Sequence, residues 1–424
     1  MKFTALILAA GKGTRMKSEK PKVLHELCGK FMISHVIDSC REAGVNDIVV
    51  ISGYKHDEVK RNVRSKYKNI KFVLQNPQKG TAHAVTAVLN KKIPLNKGVL
   101  ILSGDAPLVG ADVIRRLIKS FTQSGAGGII GISKLENPHG YGRVIRDSHG
   151  YIAGITEEKD ASAAVKKIKY INGGVYIIEK KYLKEYVPRI KKNRKKGEYY
   201  LTDIAEMMFR DGIKIRAVSA GPGVFSGVNN PAQLAEAAAI KNKKILEKLA
   251  KSGVIIEDFN TVFIDAEVKI GKGTLIKPFT IIKGNVKIGK KCSIGPSAHI
   301  RPGAVIGDSC KIGNYVEVKN SKIGSNTNVA HLSYIGDSEL GARVNIGAGT
   351  ITANYDGVKK HKTKIGAGAY VGSNVVFVAP VTAGKNSVIG AGSVITKNVP
   401  AGKLAIARGR QDIKENKALK RRSK

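Results

Sequence analysis

The sequence predicts an α/β domain followed by a parallel β-helix. Three observations carry this reading. Through the second half an aliphatic residue recurs every six positions: Ile270, Ile276, Ile282, Ile288, Ile294, Ile300, Ile306, Ile312 and Val318 keep one register. Near the start, an apolar run (TALILAA, residues 4–10) leads straight into Gly11-Lys12-Gly13-Thr14-Arg15-Met16. A second apolar run, residues 99–102, ends in Ser103-Gly104-Asp105.

A period of six is neither helix nor ordinary strand. It fits coils of three short strands, with the aliphatic of each hexad pointing inward and Gly, Asn or Asp at corners that need positive φ. Each coil buries its ladder only against its neighbours, so the stack stands or falls as a unit. The beat slips by one at Ile323 and near Leu340, resumes through Ile346, breaks, and returns at Ile365, Val371, Phe377, Ala383, Ile389 and Ile395. Residues 352–362 are therefore expected as an ejected loop, the kind of segment that carries function in repeat proteins.

Composition narrows the class. The chain has 424 residues, 42% of them hydrophobic, enough for two or three cored domains. It holds no apolar run long enough to span a membrane. The apolar start superficially suits a signal peptide, but it is one strand long and a charged glycine loop follows at once. A cytoplasmic protein is expected. Cys28, Cys40, Cys292 and Cys310 have no metal-ligand or CxxC spacing, so they read as free thiols in a reducing compartment. Cys292 and Cys310 lie three hexads apart and could stack on one face. The net charge of +40 is spread as lysine, with clusters at residues 191–196 and 420–424. With no tryptophan and no aromatic-interleaved basic stripe, this reads as surface lysine rather than a nucleic-acid site. It would still draw anionic substrates.

In the first domain, a strand feeding a glycine-rich loop lets backbone N–H groups approach phosphates. A lone G-x-G is weak. Combined with Pro21-Lys22-Val23-Leu24 it gains two fixed cations, Arg15 and Lys22. Residues 31–43 read as a helix, and residues 47–52 and 72–75 as strands. Gln75 and Gly80-Thr81-Ala82-His83-Ala84 form a strand end and a helix start, with Thr81 as the cap. Asp105 ends a parallel strand, where open α/β sheets bind ligands. It can hold Mg²⁺, which takes few carboxylates plus phosphate oxygens. Gly140-Tyr141-Gly142-Arg143, Glu157, Asn172-Gly173-Gly174 and residues 197–203 (GEYYLTD) suit sugar-hydroxyl recognition and plain turn chemistry equally. Asn230-Pro231 opens a helix that Gly253 stops. In the prism, Arg301, Glu317, Lys319, His331, Tyr334, Asn345, Asn354 and Tyr355 gather around the slips and the break rather than on solvated corners.

Together LAAGKGTRM, PKVL, LQ, GTAHA, SGD, GYGR, INGG, EYYLTD and GVNN resemble the sugar-1-phosphate nucleotidyltransferases. With the prism behind them, residues 6–408 resemble the bacterial bifunctional N-acetylglucosamine-1-phosphate uridyltransferase/glucosamine-1-phosphate acetyltransferase family. The resemblance implies a Rossmann-like α/β nucleotidyltransferase domain over residues 1–228, a helical linker over 229–253, a left-handed β-helix over 254–402 and a basic tail over 403–424. It implies that Leu8, Ala9, Ala10, Gly11, Gln75, Gly80 and Thr81 bind uridine nucleotide, with Ser103 and Gly104 beside Asp105. Arg15 and Lys22 would contact phosphates and serve catalysis, Asp105 and Asn229 would hold Mg²⁺, and Gly142, Glu157 and Asn172 would read N-acetylglucosamine. In the prism, His331 would be the base. Arg301, Lys319, Tyr334 and Asn345 would bind glucosamine phosphate, and Ala348, Asn354, Tyr355, Ser373, Ala391 and Arg408 acetyl-CoA. A homotrimer that uses small-molecule substrates and supplies peptidoglycan and lipopolysaccharide precursors is implied. One departure stands out: the prism ahead of Arg301 is shorter than usual in that family by about one or two coils. Two other readings remain, a nucleotidyltransferase whose prism only oligomerises and a non-catalytic scaffold. His331 with the ejected loop argues against the first, and intact Arg15, Lys22 and Asp105 against the second.

Overall fold

The computed structural model describes residues 1–193, 197–221 and 223–414. The lysine cluster at 191–196 lies partly, and that at 420–424 wholly, outside the described residues. Two compact units divide at Lys241/Asn242.

In the first unit the near-continuous apolar strands pack side by side. The sheet runs Ile215–Ser219, Gly128–Lys134, Tyr170–Glu179, Gly98–Ser103, Phe3–Ala9, Asp47–Ser52, Ile70–Leu74. All neighbours are parallel except Tyr170–Glu179, which runs against both of its neighbours. Phe3–Ala9 is central, and nearly all of it is buried, as a strand covered on both faces requires. Its C-terminal end and that of Gly98–Ser103 open on the same edge, with Leu8 opposite Ser103. The glycine loop and Asp105 therefore meet there.

The helix Thr81–Asn90 begins differently from expectation. Gly80, at φ 99°, occupies the cap position, and the Thr81 hydroxyl does not cap the helix. It accepts instead from the N–H of Leu201, 120 residues away. Asn230 does cap its helix, Pro231–Lys251, accepting from the N–H of Gln233 at 2.8 Å. Leu234, Ala237 and Ala238 of that helix pack with Met16, Leu27 and Met32 in the first unit. Farther along, Asn242 bridges Val262 and Ile264 at the first coil of the second unit, and Leu246 joins its core.

The second unit is the prism. Among the described residues its short parallel strands form three sheets of nine, eight and seven strands, each strand paired with the one a coil away. The hexad aliphatics fill the interior: Ile276, Ile294, Ile312 and Val329 on one face, Ile282, Ile300, Val318 and Ile335 on the next, Ile288, Ile306, Ile323 and Leu340 on the third. Glycine is obligatory where coils touch: a Cβ on Gly313 would run into the carbonyl of Ala330. Cys292 and Cys310 are free and buried, each just ahead of one of the adjacent strands Ser293–Ile294 and Lys311–Asn314, their thiols donating to the carbonyls of Gly307 and Gly324. Among the described residues the last paired strand is Leu404–Ala405, so the coils run past the expected boundary at 402.

The ejected loop is shorter than expected. Thr352 lies inside the prism on strand Ile351–Ala353, fully buried, its hydroxyl bonded to the backbone of Gly336. It continues the beat six residues after Ile346 with a polar side chain, which hid it. The loop spans residues 354–362.

His35 yields a pH prediction. Its ring is buried on helix Met32–Glu42, with Nε2 2.7 Å from the carbonyl of Leu27. Burial, then the charge of Lys241, lowers its pKa to about 4, with the Leu27 bond and Asp38 opposing and Lys30 adding. The folded state thus holds the neutral ring. Its stabilisation is complete above the unfolded value near 6.5 and is lost as pH falls toward 4, on the order of 3 kcal/mol in all. Thermal unfolding of the wild type and His35→Gln between pH 7.5 and 4.5 should show a shallower pH slope in the variant. Equal slopes would remove His35 as the cause.

Candidate active sites

The first unit opens into a cleft of about 530 Å³ at the C-terminal edge of its sheet. Leu8, Ala9, Ala10, Gly11, Arg15, Lys22, Gln75, Gly80, Thr81, Ser103, Asp105, Glu157 and Asn172 line it. Gly13, at φ 66°, lies against the stem of Lys22, where a Cβ would come within 2.7 Å. The glycine loop can therefore lie flat over that lysine. Gly104 donates to the carbonyl of Leu8 at 2.8 Å and locks Asp105 beside the loop.

At the floor, one ammonium joins two oxygens. Lys22 Nζ pairs with Asp105 Oδ2 and also donates to Asn229 Oδ1 at 2.9 Å. Arg15 donates to the same Asn229 oxygen at 3.0 Å. Ser103 Oγ holds the other Asp105 oxygen at 2.6 Å, and the Gln233 side chain holds the Asn229 N–H at 2.8 Å. Asp105 and Asn229 therefore converge on a cation already. Among the described residues no cluster of three or more His, Cys, Asp or Glu could hold a metal unaided. One carboxylate and one amide oxygen fit a divalent ion that takes its other ligands from phosphate and water.

The other motifs build the walls. Gln75 is buried and donates to the carbonyl of Gly80 at 2.9 Å. Tyr199 closes over this turn, accepting from Ala82 N–H and donating to Lys79. The EYYLTD loop thus fixes the turn at Gly80 and Thr81 as well as adding Glu198, Leu201 and Thr202 to the lining. Gly142 faces Glu157 and Asn172, and its carbonyl accepts from the Asn172 N–H. Asn172 donates from its amide to the Tyr176 hydroxyl at 2.6 Å and accepts from Gly174 at 3.0 Å. Tyr176 lines the cleft although sequence reasoning missed it, because a tyrosine in a buried strand reads as core. Burial, followed by Glu206, Glu157 and Asp160, pushes the Asp203 carboxyl up to about 6.

In the prism the expected residues fall into three groups. Arg301, Lys319 and Tyr334 share one face. Arg301 pairs with Glu317 at 2.7 Å, and the Tyr334 ring lies over Gly336, the partner of Lys319 in register. Lys360 from the loop joins them, meeting Lys319 closely enough to push that ammonium below its ordinary range, with burial and Arg301 adding. Sequence reasoning missed Lys360, one lysine in a basic run. The second group is a corner column: Ala348 accepts from Asn374 N–H, Ser373 from Gly392 N–H, and Ala391 from the guanidinium of Arg408 at 2.7 Å. His331 holds the corresponding corner one coil before Ala348, since Asn328 and Val329 pair with Asn345 and Ile346.

Asn345 and the loop stand apart from that column within the chain. Asn345 pairs with Asn328, three residues from His331, about 10 Å along the face. Asn354 and Tyr355 follow the strand Ile351–Ala353 and so occupy its far corner. Asn354 is buried against Asp337, whereas the Tyr355 ring is exposed.

The Nucleotidyl transferase family model matches residues 4–221. The GMPPB C-terminal domain matches residues 282–355, and the Bacterial transferase hexapeptide (six repeats) model residues 362–397. The chain is 40% identical to "Bifunctional protein GlmU" of Clostridium tetani, covering 99% of each. The chain belongs to this bifunctional family. It is 41% identical to the protein of that name from Trichlorobacter lovleyi, over 99% of this chain and 98% of that one. With the one from Thermosipho melanesiensis it shares 43%, over 98% and 97%. The first of these alignments runs to 453 positions against 424 residues here, so the relative carries segments that this chain lacks. The nucleotidyltransferase domain and the left-handed hexapeptide β-helix are those of the family, which generally requires a divalent metal. No helix among the described residues is long and apolar enough to cross a membrane.

The shared ammonium makes a prediction about ion binding. Removing it with Lys22→Met should free Asp105 and Asn229, so that Mn²⁺ binds the nucleotide-free protein more tightly, by about tenfold or 1.4 kcal/mol. Titration followed by electron paramagnetic resonance reads this directly. An unchanged or weaker Mn²⁺ affinity would show that Lys22 does not compete for those oxygens.

Proposed function

We propose that the chain makes UDP-N-acetylglucosamine in two steps, acetyl transfer on the prism and then uridylyl transfer in the α/β unit. The observation that carries this is the presence of two separate constellations. One is the cleft where Lys22 joins Asp105 and Asn229; the other is the His331 corner with its column of Ala348, Ser373 and Ala391. Membership of the bifunctional family supports it. The division assigned is 1–228 for uridylyl transfer, 229–253 as linker and the coils from 254 for acetyl transfer, with the expected end at 402 moved past Leu404–Ala405 and the remainder as tail.

In the first step the amine of glucosamine-1-phosphate attacks the thioester carbonyl of acetyl-CoA. His331 takes the amine proton, the C–S bond breaks, and coenzyme A leaves as thiolate and is protonated. Arg301, Lys319, Tyr334 and Asn345 hold the sugar phosphate. Ala348, Ser373, Ala391 and Arg408 line the coenzyme's path, with Asn354 and Tyr355 reaching it from a neighbour. In the second step a phosphate oxygen of N-acetylglucosamine-1-phosphate attacks the α-phosphorus of UTP, and the bond to the β-phosphate breaks with release of pyrophosphate. Arg15 and Lys22 carry cationic charge to the crowded phosphates. Leu8, Ala9, Ala10, Gly11, Gln75, Gly80 and Thr81 seat the nucleotide, with Ser103 and Gly104 setting Asp105. Gly142, Glu157 and Asn172 read the sugar. Mg²⁺ held by Asp105 and Asn229 would neutralise phosphate charge.

A closed homotrimer fits the prism's surface. Phe279, Tyr315 and Leu332 stand on the His331 corner at φ 59°, 52° and 47°, and each is about two-thirds exposed. Bulky apolar side chains in that strained conformation gain nothing from the single chain. Burial against a second copy would cover them and bring its Asn345 or its loop to His331. Acetyl-CoA and UTP place the reaction in the cytoplasm, where the product feeds peptidoglycan and lipopolysaccharide.

The two chemistries should separate. His331→Ala is expected to cut thiol release by about 10²–10⁴-fold and to leave pyrophosphate release intact. Asp105→Ala should abolish most pyrophosphate release and spare thiol release. Loss of both activities in either variant would refute two independent sites, and normal thiol release in His331→Ala would place the base elsewhere.

A further inference from the structure

The strand Tyr170–Glu179 is irregular where it meets the cleft of the first unit. Asn172 lies opposite Ile132 and Tyr176 opposite Ile130, so four residues of this strand cover two of its neighbour. Gly173 and Gly174 take up the difference. Gly174 turns through φ 66°, and a Cβ on Gly173 would meet the Phe225 ring at 2.5 Å. The bulge sets Asn172 and Tyr176 side by side on one face, as residues two apart stand in a regular strand. Both line the cleft, and Tyr176 is buried there.

The Asn172 amide is held at both ends. The Gly174 N–H can only donate, so it fixes the amide oxygen, at 3.0 Å. The amide nitrogen then faces the Tyr176 hydroxyl and donates to it at 2.6 Å. The backbone N–H of Asn172 is taken by the Gly142 carbonyl at 2.9 Å. An amide nitrogen carries two hydrogens, so one remains for the cleft after Tyr176 has taken its share.

Double anchoring of this kind matters only to some partners. A sugar hydroxyl donates or accepts, so it pairs with an amide in either orientation. A carbonyl oxygen only accepts, so it needs the nitrogen end and is repelled by the oxygen end. The acetamido carbonyl is the uncharged group of that kind on N-acetylglucosamine-1-phosphate, and glucosamine-1-phosphate lacks it.

We propose that Tyr176 is a positioning residue that sets sugar specificity: it holds the Asn172 amide with an N–H toward the acetamido carbonyl, so that the uridylyl site favours the acetylated sugar phosphate. This rests on the uridylyltransferase reading of the first unit. Tyr176 works by orientation alone and transfers no proton.

The test is pyrophosphate release from UTP by the full chain, with each sugar phosphate in turn. The wild type should show the higher kcat/KM with N-acetylglucosamine-1-phosphate. Tyr176→Phe should lower that value by about tenfold, mainly through KM, while kcat/KM for glucosamine-1-phosphate and KM for UTP move by no more than about twofold. On an Asn172→Ala background, Tyr176→Phe should add no further loss. An equal loss on both sugars, an unchanged preference in Tyr176→Phe, a full further loss without Asn172, or a wild type with no preference overturns the proposal. Should Tyr176→Phe fail to fold, Tyr176→Met, apolar and adaptable in shape but without a hydroxyl, is read by the same ratio. Absence of pyrophosphate release from the wild type with either sugar would instead sink the uridylyltransferase reading, and this proposal with it.

Discussion

Coil-to-coil backbone pairing at one fixed spacing governs the second unit. Each strand must meet the strand a coil away in strict register, so residues far apart in sequence become neighbours by position in the hexad. Glu317 meets Tyr334, and Lys319 meets Gly336, for this reason alone. The same rule builds the column of Ala348, Ser373 and Ala391, and it keeps glycine at Gly313, where the next coil leaves no room for a Cβ. The chemistry of the prism is thus a pattern laid on a rigid lattice. The hairpin of residues 354–362 escapes the lattice, and it must supply its own order, which Asp356 does.

The first unit solves a different problem. Its parallel strands deliver the glycine loop and Asp105 to one edge, and the Val228 N–H, bonded to the Asp105 carbonyl, brings Asn229 beside them. A single ammonium, Lys22, satisfies Asp105 and Asn229 together, and Arg15 shares the amide oxygen. The cluster is therefore preorganised around a positive centre, which suits a cleft that must take triphosphate. In both units, cationic side chains are held in place by acidic or amide partners: Lys22 by Asp105 and Asn229, and Arg301 by Glu317.

Much of this was legible in the chain because it follows from periodicity and local chemistry. The aliphatic beat announced the prism, and the strand with its glycine loop announced the phosphate cleft. What escaped notice did so for physical reasons. Thr352 belongs to the ladder, but its hydroxyl, bonded to Gly336, breaks the apolar signature. Thr81 looks like a helix cap, yet a distant N–H, that of Leu201, claims its oxygen. Tyr176 works through its hydroxyl on Asn172, a contact invisible while the residue reads as strand core. Lys360 is one of several adjacent lysines until the hairpin singles it out. The separation of Asn345 from His331 emerges only from register.

The central claim is that one chain performs both transfers in a fixed order, acetylation first. The direct measurement is product formation by the full-length protein from glucosamine-1-phosphate, UTP and Mg²⁺, with and without acetyl-CoA, resolved by mass spectrometry. The account predicts UDP-N-acetylglucosamine with matching release of thiol and pyrophosphate when acetyl-CoA is present, and almost no sugar nucleotide without it. Efficient formation of UDP-glucosamine in the absence of acetyl-CoA, or sugar nucleotide without thiol release in its presence, would contradict it.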